Sequence, residues 1–137
     1  MMINHGGTET RSKLLNEKLT EEVIGAAIEV HRALGPGLLE SAYEECLCHE
    51  LNLRGLSFRR QVPLPVRYKG ISLDCGYRLD IVVADELILE LKCLEHILPV
   101  HEAQLLTYLK MTGMRVGLII NFHVANLVRG GIVRRIL

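Results

Sequence analysis

Residues 77–92, YRLDIVVADELILELK, decide how this chain is read. Apolar residues recur at every second position on either side of Ala84-Asp85-Glu86: Leu79, Ile81 and Val83 before it, Leu87, Leu89 and Leu91 after it. A period of two is that of a strand with one face on a core, so the stretch predicts two strands, Tyr77 to Val83 and Leu87 to Lys92, joined by a tight turn. If the six apolar residues are to share a face, Val83 must sit opposite Leu87 and Ile81 opposite Leu89, across a three-residue turn at 84–86. Asp80 then faces Glu90 on the other side of the sheet, and Lys92, two residues on, projects beside them.

Two carboxylates directly opposed on one face repel each other, so the pairing asks for a cation. Magnesium suits it, with Mn2+ as a substitute: the ion prefers hard oxygens and is bound by one or two carboxylates plus water and phosphate oxygens. The ammonium of Lys92 would orient or deprotonate an attacking water, or neutralise charge developing on phosphorus. For D…E-x-K alone the competing reading is a hairpin whose charges only solvate its outer face. The surroundings have to decide.

Upstream, Thr20 reads as an N-cap followed by the first-turn acids Glu21 and Glu22, and Val23, Ala27, Val30 and Leu34 recur at helical spacing, which predicts a helix over 20–34. Gly35-Pro36-Gly37 ends it. A second helix from Leu38 to Arg54 carries the stripe Leu39, Tyr43, Leu47 and Leu51, with Gly55 at its C-terminus. Residues 58–67 alternate as a strand, placed at a sheet edge by Pro63 and Pro65, and Lys69-Gly70 turns into a short return strand at 71–73. Downstream, a helix over 100–112 closes on Gly113, MRVGLIIN (114–121) reads as a strand covered on both faces, and a last strand spans 130–137. The order ααβββαββ is that of an α/β domain with a mixed sheet flanked by helices.

Length and composition fit a single globule: 137 residues, 49% hydrophobic, with residues 1–18 read as a loose polar leader and 19–137 as one domain. No apolar run approaches the ~20 residues of a membrane span and no start resembles a signal peptide, so the expectation is a cytoplasmic protein without membrane contact. Cys46, Cys48, Cys75 and Cys93 show no C-x-x-C spacing and read as buried or idle thiols. The net charge is zero, yet the charges are blocked: residues 1–53 and 79–109 each carry −5, residues 54–78 and 110–137 each +5. If the two basic blocks flank an acidic pocket, they could hold a phosphate backbone while the acids hold a metal; ordinary solvated charge is the competing reading. Arg59, Arg60, Arg67 and Arg78 are the candidate phosphate contacts. Glu44, at i+4 from Glu40, reads as an exposed helical acid ahead of a second ligand. Tyr43 reads as a half-buried aromatic whose hydroxyl could reach the site. His101 reads as a packing or capping residue, and the role of His31 beside the Gly-Pro-Gly turn stays open.

The segment GLLESAY (37–43), with Asp80 and ELK (90–92), resembles the GxxExxY family of PD-(D/E)xK nuclease-like proteins. The likeness extends from about Thr20 to the C-terminus through LGPGLLESAYEE, RQVPLPVRYKG, LDIVV, LELK and HEAQLLTYLKMTG. The resemblance implies a restriction-endonuclease-like core and carries roles position by position: Glu40 the helical acid, Asp80 and Glu90 the metal-binding pair, Lys92 the catalytic lysine, and Gln104 the glutamine of the following helix. Tyr108 stands one turn beyond Gln104 on the same helix face. Leu79 occupies the place where the wider superfamily often has proline, which matters little because the acid supplies the chemistry.

Three functions compete. The first is a magnesium-dependent nuclease hydrolysing phosphodiester bonds of nucleic acid, DNA ahead of RNA; one site per chain would make a homodimer useful for cutting both strands of a duplex. The second is a non-catalytic accessory module that binds nucleic acid or a protein on the same fold, favoured by the zero net charge and by only two phenylalanines and no tryptophan. The third is a hydrolase for a smaller phosphorylated substrate. A module that only binds has no need to keep an unfavourable acid pair, which ranks the nuclease first.

Overall fold

The computed structural model describes residues 5–137, with side chains from Asn16 onward. Its elements are α1 (His5–Leu34), α2 (Glu40–Leu53), β1 (Phe58–Pro63), β2 (Val66–Tyr68), β3 (Ile71–Leu73), β4 (Arg78–Val83), β5 (Leu87–Lys92), α3 (Pro99–Thr112), β6 (Val116–Asn121) and β7 (Ile132–Ile136). Five strands form one sheet in the order β1-β4-β5-β6-β7; β5 and β6 run parallel and the other pairs antiparallel. This is the mixed, helix-flanked α/β sheet expected from the order of elements.

The hairpin at the centre has the register that the apolar spacing demanded, with Val83 opposite Leu87 and Ile81 opposite Leu89. Its turn works because Ala84 and Asp85 both accept positive φ (53° and 55°), the sense that suits the twist of a two-strand ribbon, and Glu86 N donates to the Val83 carbonyl at 3.0 Å. One face of the sheet packs Ile81, Val83, Leu89, Leu91 and Leu118 under α1 and α2, through Val23, Ala27, Leu47 and Leu51. The other packs Val82, Ile88 and Ile119 under α3, through Leu105 and Leu109.

Three boundaries differ from the sequence reading. Helix α1 starts at His5, not near residue 20, and Thr20 is interior to it, its hydroxyl donating to the Asn16 carbonyl at 2.6 Å. The nucleation cost of a helix is met once, so packing at Val23–Val30 lets a polar stretch without apolar periodicity continue the same helix backwards. Most of the segment read as a leader is therefore helical, and residues 1–4 of it lie outside the described residues. Helix α2 starts at Glu40, leaving Leu39 as an exposed N-cap in place of a stripe residue. The strand read over 58–67 stops at Pro63, since neither Pro63 nor Pro65 has an N–H to give a ladder; Leu64 N donates instead to Tyr77 O at 2.9 Å, and β2 pairs only with β3 in a separate hairpin. β1 is nonetheless the edge strand that its prolines called for.

Helix α3 begins with Pro99 at its first turn, one residue before the start read, and ends on Gly113 in the left-handed region (φ 76°), as its sequence signal indicated. It lies close on β6 because residue 117 has no side chain: a Cβ there would stand 2.6 Å from Leu105 Cδ1 and 3.0 Å from its Cγ. Gly117→Ala should therefore push α3 off the sheet and cost about 1–3 kcal/mol, read as a lowered midpoint in chemical denaturation; an unchanged midpoint would show that Leu105 can move aside freely.

Candidate active site

At the end of the sheet away from the 84–86 turn, the backbone ladder between β4 and β5 stops after the Ile81–Leu89 pair. Carboxylates take over the backbone's partners. Asp80 N donates to Glu90 Oε2 at 3.0 Å, and Leu91 N donates to Asp80 Oδ2 at 2.8 Å. Each acid is thus fixed by the other strand through one oxygen, while Asp80 Oδ1 and Glu90 Oε1 have no protein donor among the described residues.

Here β4 also departs from simple alternation. Ile81 and Val83 pack under α1 and α2, but Leu79 joins Leu64, Val82 and Tyr108 on the α3 side, so the six apolar residues do not share one face. In the neighbouring strand Gln61, between the Arg60–Ile81 and Val62–Leu79 pairs and so beside Asp80, has φ 49°, a local kink in β1. The same kink lets Gln61 Nε2 donate to Glu44 Oε1 at 2.8 Å.

The electrostatics define which side chains meet. Burial pushes the Glu90 carboxyl up to about 8, helped by the charge of Asp80 and opposed by the Asp80 N–H, with Lys92 lowering it and Glu40 raising it further. Asp80 is raised by burial and by Glu44, against the Leu91 N–H and Lys92. Glu40, in the first turn of α2, is raised by burial and then by Asp80, with Lys92 opposing. The two carboxyls are coupled, so the pair titrates in two steps that belong to it as a unit. Burial and the same two acids push the Tyr108 hydroxyl up to about 12. The charges of Glu40, Asp80, Glu90 and Lys92 thus act on one another, and Glu44 and Tyr108 share in the same field. Gln104 is half-buried one turn before Tyr108 on α3.

Other expectations are corrected. Tyr43 is fully buried and stacks on Phe122 (centroids 4.4 Å apart); its hydroxyl donates to the Gly35 carbonyl and accepts from Leu38 N at 3.2 Å. It therefore pins the Gly-Pro-Gly turn that launches α2 and does not face a substrate. Tyr43→Phe should leave the Leu38 N–H and Gly35 C=O short of partners and lower stability by about 1–3 kcal/mol in a thermal melt; an unaltered melt would mean that water replaces the hydroxyl at no cost. Arg59 and Arg60 are spent on protein partners: Arg59 pairs with Asp85 at 2.7 Å, and Arg60 with Glu44 (2.8 Å) and Glu45 (2.7 Å). Glu44 is not an exposed helical acid, since its side chain is only 13% exposed under Arg60. His31 Nε2 lies 2.8 Å from the Val124 carbonyl, a packing role, and His101 Nδ1 accepts from Leu98 N at the start of α3, a capping role. Asn121 was missed. Buried at the end of β6, it accepts from Leu94 N and His123 N and donates to Leu94 O, so it ties down the chain just after Lys92. Its signal was a lone amide closing an otherwise apolar run.

Three cations of the 110–137 block lie away from this end of the sheet. Arg134 and Arg135 pair with Leu118 and Gly117, and Arg115 precedes Val116, the partner of Leu87, so these cations lie towards the hairpin turn.

The donor set fits a divalent ion. The carboxylates are hard oxygen donors, two of them offer a vacant oxygen, and burial of mutually repelling acids is relieved by a bound cation more than by Lys92 alone. Among the described residues no three of the His, Cys, Asp and Glu side chains converge as a ligand group, so an ion here would complete its shell with water and substrate oxygens. No helix among them is long and apolar enough to cross a membrane.

A family model of the PD-(D/E)XK nuclease superfamily matches residues 17–136, and the chain belongs to that superfamily. No curated protein and no solved structure matches it.

Proposed function

We propose that the protein is a divalent-metal-dependent nuclease of the GxxExxY type that hydrolyses phosphodiester bonds, with DNA as its substrate. The observation that carries this reading is Glu90, a carboxyl held almost wholly buried against Asp80 and pushed up to about 8, an arrangement that costs stability and gains a purpose only with a cation. Asp80 and Glu90 would hold Mg2+ or Mn2+, with Glu40 completing the acid set through water. The metal would supply Lewis acidity at a phosphate oxygen and a more acidic bound water. Lys92 stands where it can stabilise charge on the phosphorane or steer the proton of the attacking water. Tyr108, which keeps its proton, would donate to a phosphate oxygen, and Gln104 would position the water or the phosphate. Incubating a plasmid and labelled oligonucleotides with the wild type and Asp80→Ala, with Mg2+, Mn2+ or EDTA, tests it. Metal-dependent cutting lost in the variant supports the reading; equal cutting by both, or none by the wild type on DNA or RNA, overturns it.

A further inference from the structure

Among the described residues the β2–β3 hairpin pairs with no other strand, and it is rooted at the site: Leu64 N bonds to Tyr77 O at its base, and β4 begins at Arg78, two residues before Asp80. Residues 54–78 carry six cations, of which Arg54, Arg59 and Arg60 are in ion pairs with Glu22, Glu50, Asp85, Glu44 and Glu45. The remaining three, Arg67, Lys69 and Arg78, have no ion-pair partner among the described residues, and all three stand on the hairpin or at its foot. Between them lie exposed rings. Tyr68 is 57% exposed at the tip, with Lys69 Nζ 5.4 Å from its ring centroid, and Tyr77 is 44% exposed at the base. The Tyr77 ring meets Tyr108 edge-on at 6.2 Å, and Tyr108 feels Glu90 and Asp80 directly. A line of cations interleaved with exposed aromatics, leading into a phosphodiesterase site, has the chemistry of a single-stranded nucleic-acid track, in which bases stack on rings while cations follow the backbone.

We infer that the β2–β3 hairpin is a substrate arm that holds an unpaired strand, Tyr68 stacking a base and Arg67, Lys69 and Arg78 contacting phosphates, so that the preferred substrate has a single-stranded segment at the cleavage point. The inference rests on the nuclease reading for the site that the arm feeds, but its binding can be measured without cleavage. Anisotropy of a labelled single-stranded oligonucleotide in EDTA, against a duplex of the same sequence, reads it directly. The arm predicts tighter binding of the single strand. The triple variant Arg67→Ala, Lys69→Ala, Arg78→Ala should weaken it about 10–100-fold and lower the slope of log affinity against log salt by about 2, at ~0.7 per phosphate contact. Tyr68→Ala should weaken it about tenfold, and Tyr68→Phe should restore it, since a phenyl ring stacks as well. All these positions are exposed, so circular dichroism should stay that of the wild type. Unchanged affinity in the triple variant overturns the arm, as does a Tyr68→Ala variant that loses a homodimer in light scattering while binding the oligonucleotide normally, which would assign the hairpin to a second copy. Arm-dependent binding without any cutting would sink the nuclease reading and leave the arm, whereas cutting that survives all arm variants would do the reverse.

Discussion

Asp80→Ala and Lys92→Ala should each slow metal-dependent cleavage by about 10³-fold, or about 4 kcal/mol of transition-state stabilisation, but for different reasons. Asp80 is a proposed metal ligand and also the acceptor for Leu91 N–H at 2.8 Å. Its loss should weaken Mn2+ binding in calorimetry and let Glu90 ionise more easily, because the Asp80 charge is the second cause of its raised carboxyl. Lys92 opposes all three acids of the site, so its removal should leave Mn2+ affinity intact or higher while kcat collapses. The conservative variant separates its two proposed roles. If Lys92 only neutralises charge, Lys92→Arg should recover much of the rate; if it moves a proton, the guanidinium, which stays protonated, should not. A Lys92→Ala enzyme that cuts at the wild-type rate would remove Lys92 from the chemistry, and an Asp80→Ala enzyme with normal Mn2+ affinity would remove Asp80 from the metal.

The part of this site legible in the sequence was the part that local periodicity controls. The alternation of 81–83 and 87–89 sets Val83 opposite Leu87; Asp80 and Glu90 meet just beyond that ladder, through side-chain bonds to the opposite backbone that the register did not foresee. Helix α3 was equally legible at its end, because Gly113 marks it by its own backbone constraint; its start at Pro99 lies one residue before the one read. What stayed hidden depends on groups far apart in sequence. Leu79 turns to the α3 side against the alternation that its spacing implied, and Gln61, beside Asp80 on another strand, has a positive φ that no local spacing marks. Arg59 and Arg60 read as phosphate contacts until the fold gives them Asp85, Glu44 and Glu45. The hydroxyl of Tyr43 could be aimed only once the Gly35–Leu38 turn had a shape. The roles of Glu40 and Gln104 came from family resemblance alone, since a helical acid or amide has no spacing that marks it as part of a site.

Glu90→Gln should make the metal-free protein more stable at pH 8–9 while abolishing cleavage. The sign follows from the carboxyl. In the unfolded chain Glu90 ionises near its ordinary value of about 4.5, whereas in the fold it stays protonated until about pH 8. Between those values folding must take up a proton, so the stability this group contributes is fully present below about pH 4.5, falls as pH rises, and is lost by about pH 8. For a side chain this buried the loss is on the order of 4 kcal/mol. Glutamine cannot ionise and escapes the loss; its amide oxygen can keep the bond from Asp80 N, and its NH2 would face Asp80 in place of a second negative charge. Thermal melts in EDTA should therefore run together for wild type and variant at pH 4–5 and separate by several degrees at pH 8.5, with the variant above. Adding Mn2+ should reverse that order, because an ion that binds only the folded wild type stabilises it by mass action and finds no carboxylate pair in the variant. Its affinity for the wild type should also rise with pH up to about 8, since the ion must displace the Glu90 proton. Parallel melting profiles across this range, with or without metal, would mean that Glu90 is ionised in the fold and that no cation is needed to hold it there.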